Sequence, residues 1–272
     1  PLSCWGFPRE AVSFFSRTDF LPEFEIALSN VFKQITYLGP LRDYFHRYHT
    51  WDEYHPMDVG QRGEYTIAAL LAARHKASKI DEKPIEERIL DWMRNLGLLE
   101  SFLLQPIEKN GEGYVYEILV KVSQSSPFIP LKDVGFGVSQ ILPVLVLCYY
   151  APEGSIILLE HPEMHLHPSV QAGLADVLID VVKERHVQII VESHSEHLLH
   201  RLQRRVAEGK FSGDQTALYF CSIDNGVSSL ETLKMDDFGN ITNWPEDFFG
   251  DSMGDLIAMT EAEMKRRKES DV

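Results

Sequence analysis

The sequence predicts an α/β protein built on a mostly parallel sheet flanked by helices, with a helical insert and a small C-terminal appendage. Three observations lead there. Residues 155–223 alternate strand and helix patterns: strand Ser155 to Glu160, helix Ser169 to Arg185, strand Val187 to Glu192, helix Ser195 to Glu208, strand Ala217 to Ile223. The apolar run before Glu160 ends abruptly in acids, as buried strands of parallel sheets do where they meet ligands. In the helix from Ser169, Val170, Leu174, Val177, Leu178 and Val181 make one apolar stripe, leaving the far side to water.

Ahead of this unit, a helix is expected from Leu21 to Gln34, then a short strand, Ile35-Thr-Tyr-Leu-Gly-Pro40, stopped by its Gly-Pro breaker. Tyr44 to Pro56, with His46, His49 and His55, reads as an irregular aromatic loop. Residues 64–77 and 84–99 carry helical periodicity, the second with Pro84 at the first helical position. After an Asn110-Gly111 turn, Tyr114 to Val122 reads as a strand. Asn225-Gly226 is a two-residue hairpin turn into Val227 to Leu233, and Met253 to Lys268 reads as a helix, acidic first and basic last. The organisation expected is the end of an upstream helical region (1–34), a helical subdomain with connecting strands (35–130), a site-bearing lobe (131–234) and an appendage (235–272).

Composition narrows the function classes. The chain has 272 residues, 44% of them apolar, and a net charge of −15, which argues against a generally basic nucleic-acid sleeve. Arg201, Arg204, Arg205 and Lys210 form a candidate basic patch, for which a solvated helix face is the plainer account. Three cysteines, Cys4, Cys148 and Cys221, have no paired spacing, so neither a disulfide framework nor a thiolate zinc site is indicated and a cytoplasmic setting fits. No apolar run approaches the ~18–20 residues of a membrane span.

Three clusters carry chemistry. In Asp133-Val-Gly-Phe-Gly-Val-Ser-Gln140 two glycines permit close backbone approach; Ser139 is a possible N-cap, and a helix beginning near Ser139 or Gln140 would offer N–H groups to an anion, with Pro143 in or beside its first turn. In the second, Glu160 at a strand end suits Mg²⁺, which takes few protein carboxylates and keeps much of its water. Here His161, His165 and His167 invite a zinc reading, although Pro162 and Pro168 break any helix that would align them. The third, Glu192-Ser-His-Ser-Glu196, ends the next strand, so His194 is expected to approach the Glu160 segment and stabilise a terminal phosphate; Ser193 and Glu196 have capping-box spacing.

The order of these clusters resembles the C-terminal half of an ATP-binding-cassette-like ATPase of the SMC-like, overcoming-lysogenisation-defect branch, a group often described simply as AAA-family ATPases. The resemblance spans about residues 35 to 250 and rests on Val134-Gly-Phe-Gly-Val-Ser-Gln-Ile-Leu-Pro143, Leu159-Glu-His-Pro-Glu-Met-His-Leu-His-Pro168 and Glu192-Ser-His-Ser195, with support from Tyr37-Leu-Gly-Pro-Leu-Arg42 and Asn240-Ile-Thr-Asn-Trp-Pro245. It implies that Gly135, Gly137, Ser139 and Gln140 belong to a signature motif touching the γ-phosphate of ATP held by the opposite subunit. It further implies that Glu160 is the Walker B acid supporting Mg²⁺, that His194 is the switch histidine and that His165 to Ser169 is the D-loop. The cofactors implied are ATP and Mg²⁺, the partner a second copy in a head-to-tail dimer, and the setting DNA processing or phage defence, often beside a nuclease.

Two departures stand out. The position after the Walker B acid, where a catalytic Glu usually activates water, is His161, so Glu163 is the alternative carboxylate. No GxxxxGK[ST] occurs, which removes the cradle and lysine for the β-phosphate. Because the chain begins at Pro1 rather than Met, the Walker A strand and loop are expected upstream, and this chain alone is expected to bind ATP poorly and not to hydrolyse it unaided. Two other readings stay open: a zinc hydrolase using Glu160, His161, His165, His167 and His194, and a noncatalytic interaction module derived from an ATPase.

Overall fold

The computed structural model describes residues 21–76, 84–110, 113–245, 248, 257–263 and 266. Cys4 and the centre of the Asn110-Gly111 turn lie outside them. Of the Met253 to Lys268 helix, residues 257–263 and 266 are described, and these are helical. The chain divides into two compact units, Pro1–Ser193 and His194–Val272.

The first unit opens with α1 (Leu21–Lys33), which leads into β1 (Ile35–Leu38). That strand, β6 (Ile156–Glu160) and β7 (Gln188–Glu192) form a parallel sheet in the order β1-β6-β7. The alternating burial of β6 puts Ile157 and Leu159 at 0% and 1% exposure, which makes it the dry central strand that its apolar run predicts. The crossover from β6 to β7 is α5 (Pro168–Arg185), which packs on β7.

Beside this sheet stands an antiparallel one that the sequence reading only half anticipates. It comprises β2 (Tyr48–Trp51), β3 (Ser101–Asn110), β4 (Gly113–Lys121) and β5 (Ile129–Pro130), ordered β2-β4-β3 with β5 also on β4. The expected irregular loop at Tyr44 to Pro56 therefore contains a strand, paired from Tyr48 opposite Glu117 to Trp51 opposite Tyr114. Histidines and aromatics there gave no clean alternation, and the pairing with β4 imposes the strand. No strand is foreseen at β3 either, since its Pro106 sits at a bulge, where the register shifts between Pro106 and Glu108.

The core is organised by α4 (Phe136–Tyr150), an apolar helix packed against α2 (Thr66–Lys76), α3 (Ile85–Asn95) and α5. Residues Ile141 to Tyr149 are buried throughout, and each fully buried leucine among them contributes about 1.5–3 kcal/mol. One polar chain crosses this core: Trp92 Nε1 of α3 donates to the Tyr149 hydroxyl at 2.6 Å, which donates to Asp180 Oδ2 of α5 at 2.8 Å. Pro84 is the residue before α3 rather than its first residue, a one-position difference.

The second unit holds α6 (Glu196–Ala207) and the hairpin of β8 (Leu218–Asp224) and β9 (Val227–Leu233). Its turn is the one predicted: Asn225 and Gly226 have φ of 49° and 81°, which a two-residue hairpin of this twist requires. β8 pairs antiparallel with β9, which corrects the expectation of a further strand in the parallel alternation. A strand pattern alone does not reveal its partner, and the Asn-Gly turn supplies one directly after the strand at lower closure cost. The cap of α6 is also corrected: Ser195 Oγ accepts from the Leu198 N–H at 3.1 Å, so the N-cap is Ser195 and not Ser193.

Candidate functional site

Parallel register sets the floor of the site. Glu160 and Glu192 are partners at the ends of β6 and β7, and β1 runs alongside with Tyr37 opposite Leu158. The Tyr37 hydroxyl hydrogen-bonds the Glu160 carboxylate; partial burial, then that bond and the nearby charge, raise the tyrosine's pKa above its ordinary value. Glu160 is thus oriented by a donor from β1.

After Glu160 the backbone turns sharply. His161 takes φ 44° and His165 φ 61°, left-handed values that a non-glycine residue adopts at a cost of ~1–3 kcal/mol when the surroundings enforce them. The enforcement is visible: the His161 N–H donates to the Glu192 carbonyl at 2.9 Å, Met164 N–H to the His161 carbonyl at 3.0 Å and Leu166 N–H to the Glu163 carbonyl at 3.0 Å. The His161 ring lies between two carboxylates, Nε2 at 3.5 Å from Glu192 and Nδ1 at 3.8 Å from Glu163. Glu163 is buried, at 7% exposure.

The signature-like segment meets this loop. Phe136 packs edge-on against His165 with centroids 4.9 Å apart, and a Cβ on Gly137 would come within 3.9 Å of Leu166. Here the structure corrects the helix start: α4 begins at Phe136, with Gly135 as a cap that offers no side-chain acceptor. Ser139 lies inside the first turn and donates back to the Phe136 carbonyl at 2.7 Å. Pro143 is inside the helix, and its ring packs at Gly63, where an added Cβ would meet it at 2.9 Å.

Gly135 is informative in another way. Its φ is −54°, open to any residue, and an added Cβ would meet nothing within 4 Å. Among the described residues neither conformation nor packing requires glycine there.

Gln140 points inward rather than to a ligand, at 2% exposure, and accepts from Arg42 Nη1 at 3.5 Å. Arg42, 5% exposed, also reaches the His161 carbonyl with Nη2 at 3.5 Å. Of the predicted residues, Glu160, His161 and Glu163 share the loop after β6, while Gly135, Gly137, Ser139 and Gln140 share the entrance of α4. His194 opens the second unit, two residues beyond Glu192.

The histidines do not assemble a zinc site. His165 is spent on Phe136, and His167 caps α5, its Nδ1 accepting from the Ser169 N–H at 3.3 Å. Among the described residues no three of His, Cys, Asp and Glu come together in a way that could hold a metal ion unaided. A single strand-end carboxylate fits Mg²⁺ held chiefly by phosphate and water.

Sequence reasoning missed Tyr37, Arg42 and Glu192 as site residues. Glu192 ends an apolar strand as Glu160 does, a signal present in the sequence; Tyr37 and Arg42 sit in the Tyr37-to-Arg42 segment, which only the sheet order brings beside the Glu160 strand.

Residues 70–199 match the family model described as AAA ATPase domain. This segment is similar to that family. Residues 212–258 match a second family, a protein of unknown function (DUF3696). No curated protein matches the chain. Similar solved structures include one described as "Structural biochemistry of ATP-driven dimerization and DNA stimulated activation of SMC ATPases", 16% identical over 55% of this chain and 83% of that one, TM-score 0.41. Another is an SmcHead bound to the C-winged helix domain of ScpA, 17% identical over 56% of this chain and 43% of that one, TM-score 0.41. A third is the Smc head domain with a coiled coil and joint from Pyrococcus yayanosii, 16% identical over 55% of this chain and 26% of that one, TM-score 0.39. Among the described residues no helix is long and apolar enough to cross a membrane.

Proposed function

We propose that this chain supplies the signature and Walker B surfaces of an SMC-like ATPase whose nucleotide is sandwiched in a head-to-tail homodimer. The observation that carries the reading is a carboxylate, Glu160, at the end of the central parallel strand, with an uncapped, glycine-bordered helix entrance packed on the loop that follows it. In this reading Gly135, Gly137 and Ser139 face the γ-phosphate of ATP held by the opposite subunit, and Gln140 braces the helix entrance from within. Glu160 holds Mg²⁺ directly or through water, Tyr37 fixes its carboxylate, and His194 serves as the switch histidine. The ion's contribution, when bound, is charge neutralisation at the phosphoryl oxygens.

Water activation falls to the His161 and Glu163 pair. The ring and carboxylate stand 3.8 Å apart, close enough for a proton to be held between them through a small shift. The chain carries no GxxxxGK[ST], so by itself it binds ATP weakly; tight ATP binding by this chain in calorimetry is the contrary outcome. The family resemblance implies a role in DNA processing or phage defence, often beside a nuclease. A reducing, cytoplasmic setting suits Cys221, which is exposed and free.

A second reading, a nucleotide-sensing module that does not turn over, is favoured by one observation: a histidine occupies the position after Glu160. Phosphate release by the full-length protein separates the two. Glu160→Gln is expected to lower kcat by more than about 100-fold while ATP still drives dimerisation in light scattering. Wild-type turnover in that variant removes Glu160 from the chemistry; no turnover in the unaltered protein leaves the sensing module.

A further inference from the structure

Arg42 is a guanidinium in a nearly dry site. It is 5% exposed, and burial pushes its pKa down to about 10, against the opposing pull of the Glu163 carboxylate. Arginine is rarely buried unless paired and fully hydrogen-bonded. Here the bonding is incomplete: both Nη contacts are long at 3.5 Å, and Nε is buried with no hydrogen-bond partner among the described residues. A purely architectural arginine would be expected to have short, bidentate bonds.

Its position is set from outside. The Gly39 N–H donates to the Gln61 carbonyl at 2.8 Å and the Asp43 N–H to the Arg62 carbonyl at 2.9 Å, so the segment after β1 is pinned on both sides of Arg42. From that pinned base the side chain spans to α4 through Gln140 and to the post-β6 loop through the His161 carbonyl, 98 and 119 residues away in sequence. Those are the two surfaces assigned above to the γ-phosphate and to the metal and water.

We infer that Arg42 is a positioning residue: it ties the entrance of α4 to the loop after β6, so that a phosphate engaged at one surface changes the geometry at the other. The inference rests on the proposed ATPase reading for its purpose, but the tie itself exists without nucleotide. Long bonds and an unsatisfied Nε leave the arginine able to tighten on either acceptor at little cost, which a fully bonded residue could not do.

The test uses the full-length protein with Arg42→Met, Arg42→Lys and Gln140→Met. In hydrogen exchange without nucleotide, Arg42→Met is expected to speed exchange in both 136–141 and 161–167 while the interior of α5 stays protected. Faster exchange in only one segment, in neither, or uniformly through the core overturns the tie. Should Arg42→Met fail to fold, Gln140→Met keeps the arginine, and the result required is faster exchange in 161–167; unchanged exchange there overturns the tie as well. In ATP turnover, Arg42→Met is expected to lower kcat about 10-fold or more with KM within about 3-fold, and Arg42→Lys to recover part of it. A raised KM at unchanged kcat would instead make Arg42 a binding group and overturn the positioning role. If the unaltered protein does not hydrolyse ATP, the ATPase reading falls and the exchange experiment still decides Arg42.

Discussion

Two clusters of charge in this molecule exist under opposite conditions. At the end of β6, Arg42 and Glu163 are 5% and 7% exposed, and the arginine is only partly bonded. At the end of α6, Glu208 lies in water and collects Arg204 at 2.6 Å, Arg205 at 2.6 Å and Lys210 at 3.0 Å. Hydrogen bonds from Lys210, then Arg204 and Arg205, hold the Glu208 carboxyl down to about 2. Three cations of the basic run, Arg204, Arg205 and Lys210, thus share a single carboxylate within their own unit. The exposed cluster has many partners and little at stake in water; the buried one has few and much at stake, because a dry site magnifies any imbalance. One is a local run of the sequence and the other is assembled by the fold, and burial sets their energetics apart.

The largest effect that would break this contrast lies at Glu163. Glu163→Gln removes the charge facing Arg42 and the carboxylate facing His161, so it is expected to slow ATP turnover by about 10-fold or more and to destabilise the fold by up to about 3–5 kcal/mol. Steady-state kinetics and urea denaturation read the two separately. Unchanged turnover takes Glu163 out of catalysis, and unchanged stability contradicts the buried pair.

A smaller effect sharpens what burial alone does to a titrating group. Burial pushes His49 down to about 4, so the folded protein keeps it neutral where an unfolded chain, titrating near 6.5, takes up a proton. The depressed value means that this stability is complete above about pH 6.5 and is lost as pH falls towards 4, by up to about 3 kcal/mol. Thermal melts across that window are expected to flatten in His49→Gln; an unchanged slope assigns the pH dependence elsewhere.

The smallest effect belongs to the exposed cluster. Glu208→Gln is expected to leave the melting temperature nearly unchanged in moderate salt, since water and ions screen all four groups. A clear loss of stability that persists at high salt would show that this cluster is also dry, and the comparison would fail.

Much of the site was readable as pattern. Glu160 at a dry strand end, the glycines before a buried helix and the Asn225-Gly226 turn follow from period, composition and local φ preference, all of which act within a few residues. The first turn of α4 was misplaced because Ser139 is a common N-cap and Pro143 a common early-helix residue, while Pro143 is accommodated here by Gly63, 80 positions away in the chain and next to it in space.

By itself the sequence determined the strand-helix alternation, the carboxylate at the end of β6 and the order of the three motifs, because each is encoded by neighbouring residues. Only the tertiary structure decided that β8 turns into a hairpin, that His165 and His167 are spent on packing and capping, and that Arg42 joins two motifs. Those outcomes depend on which distant surfaces exclude water together, and burial of that kind is a property of the folded chain rather than of any stretch of it.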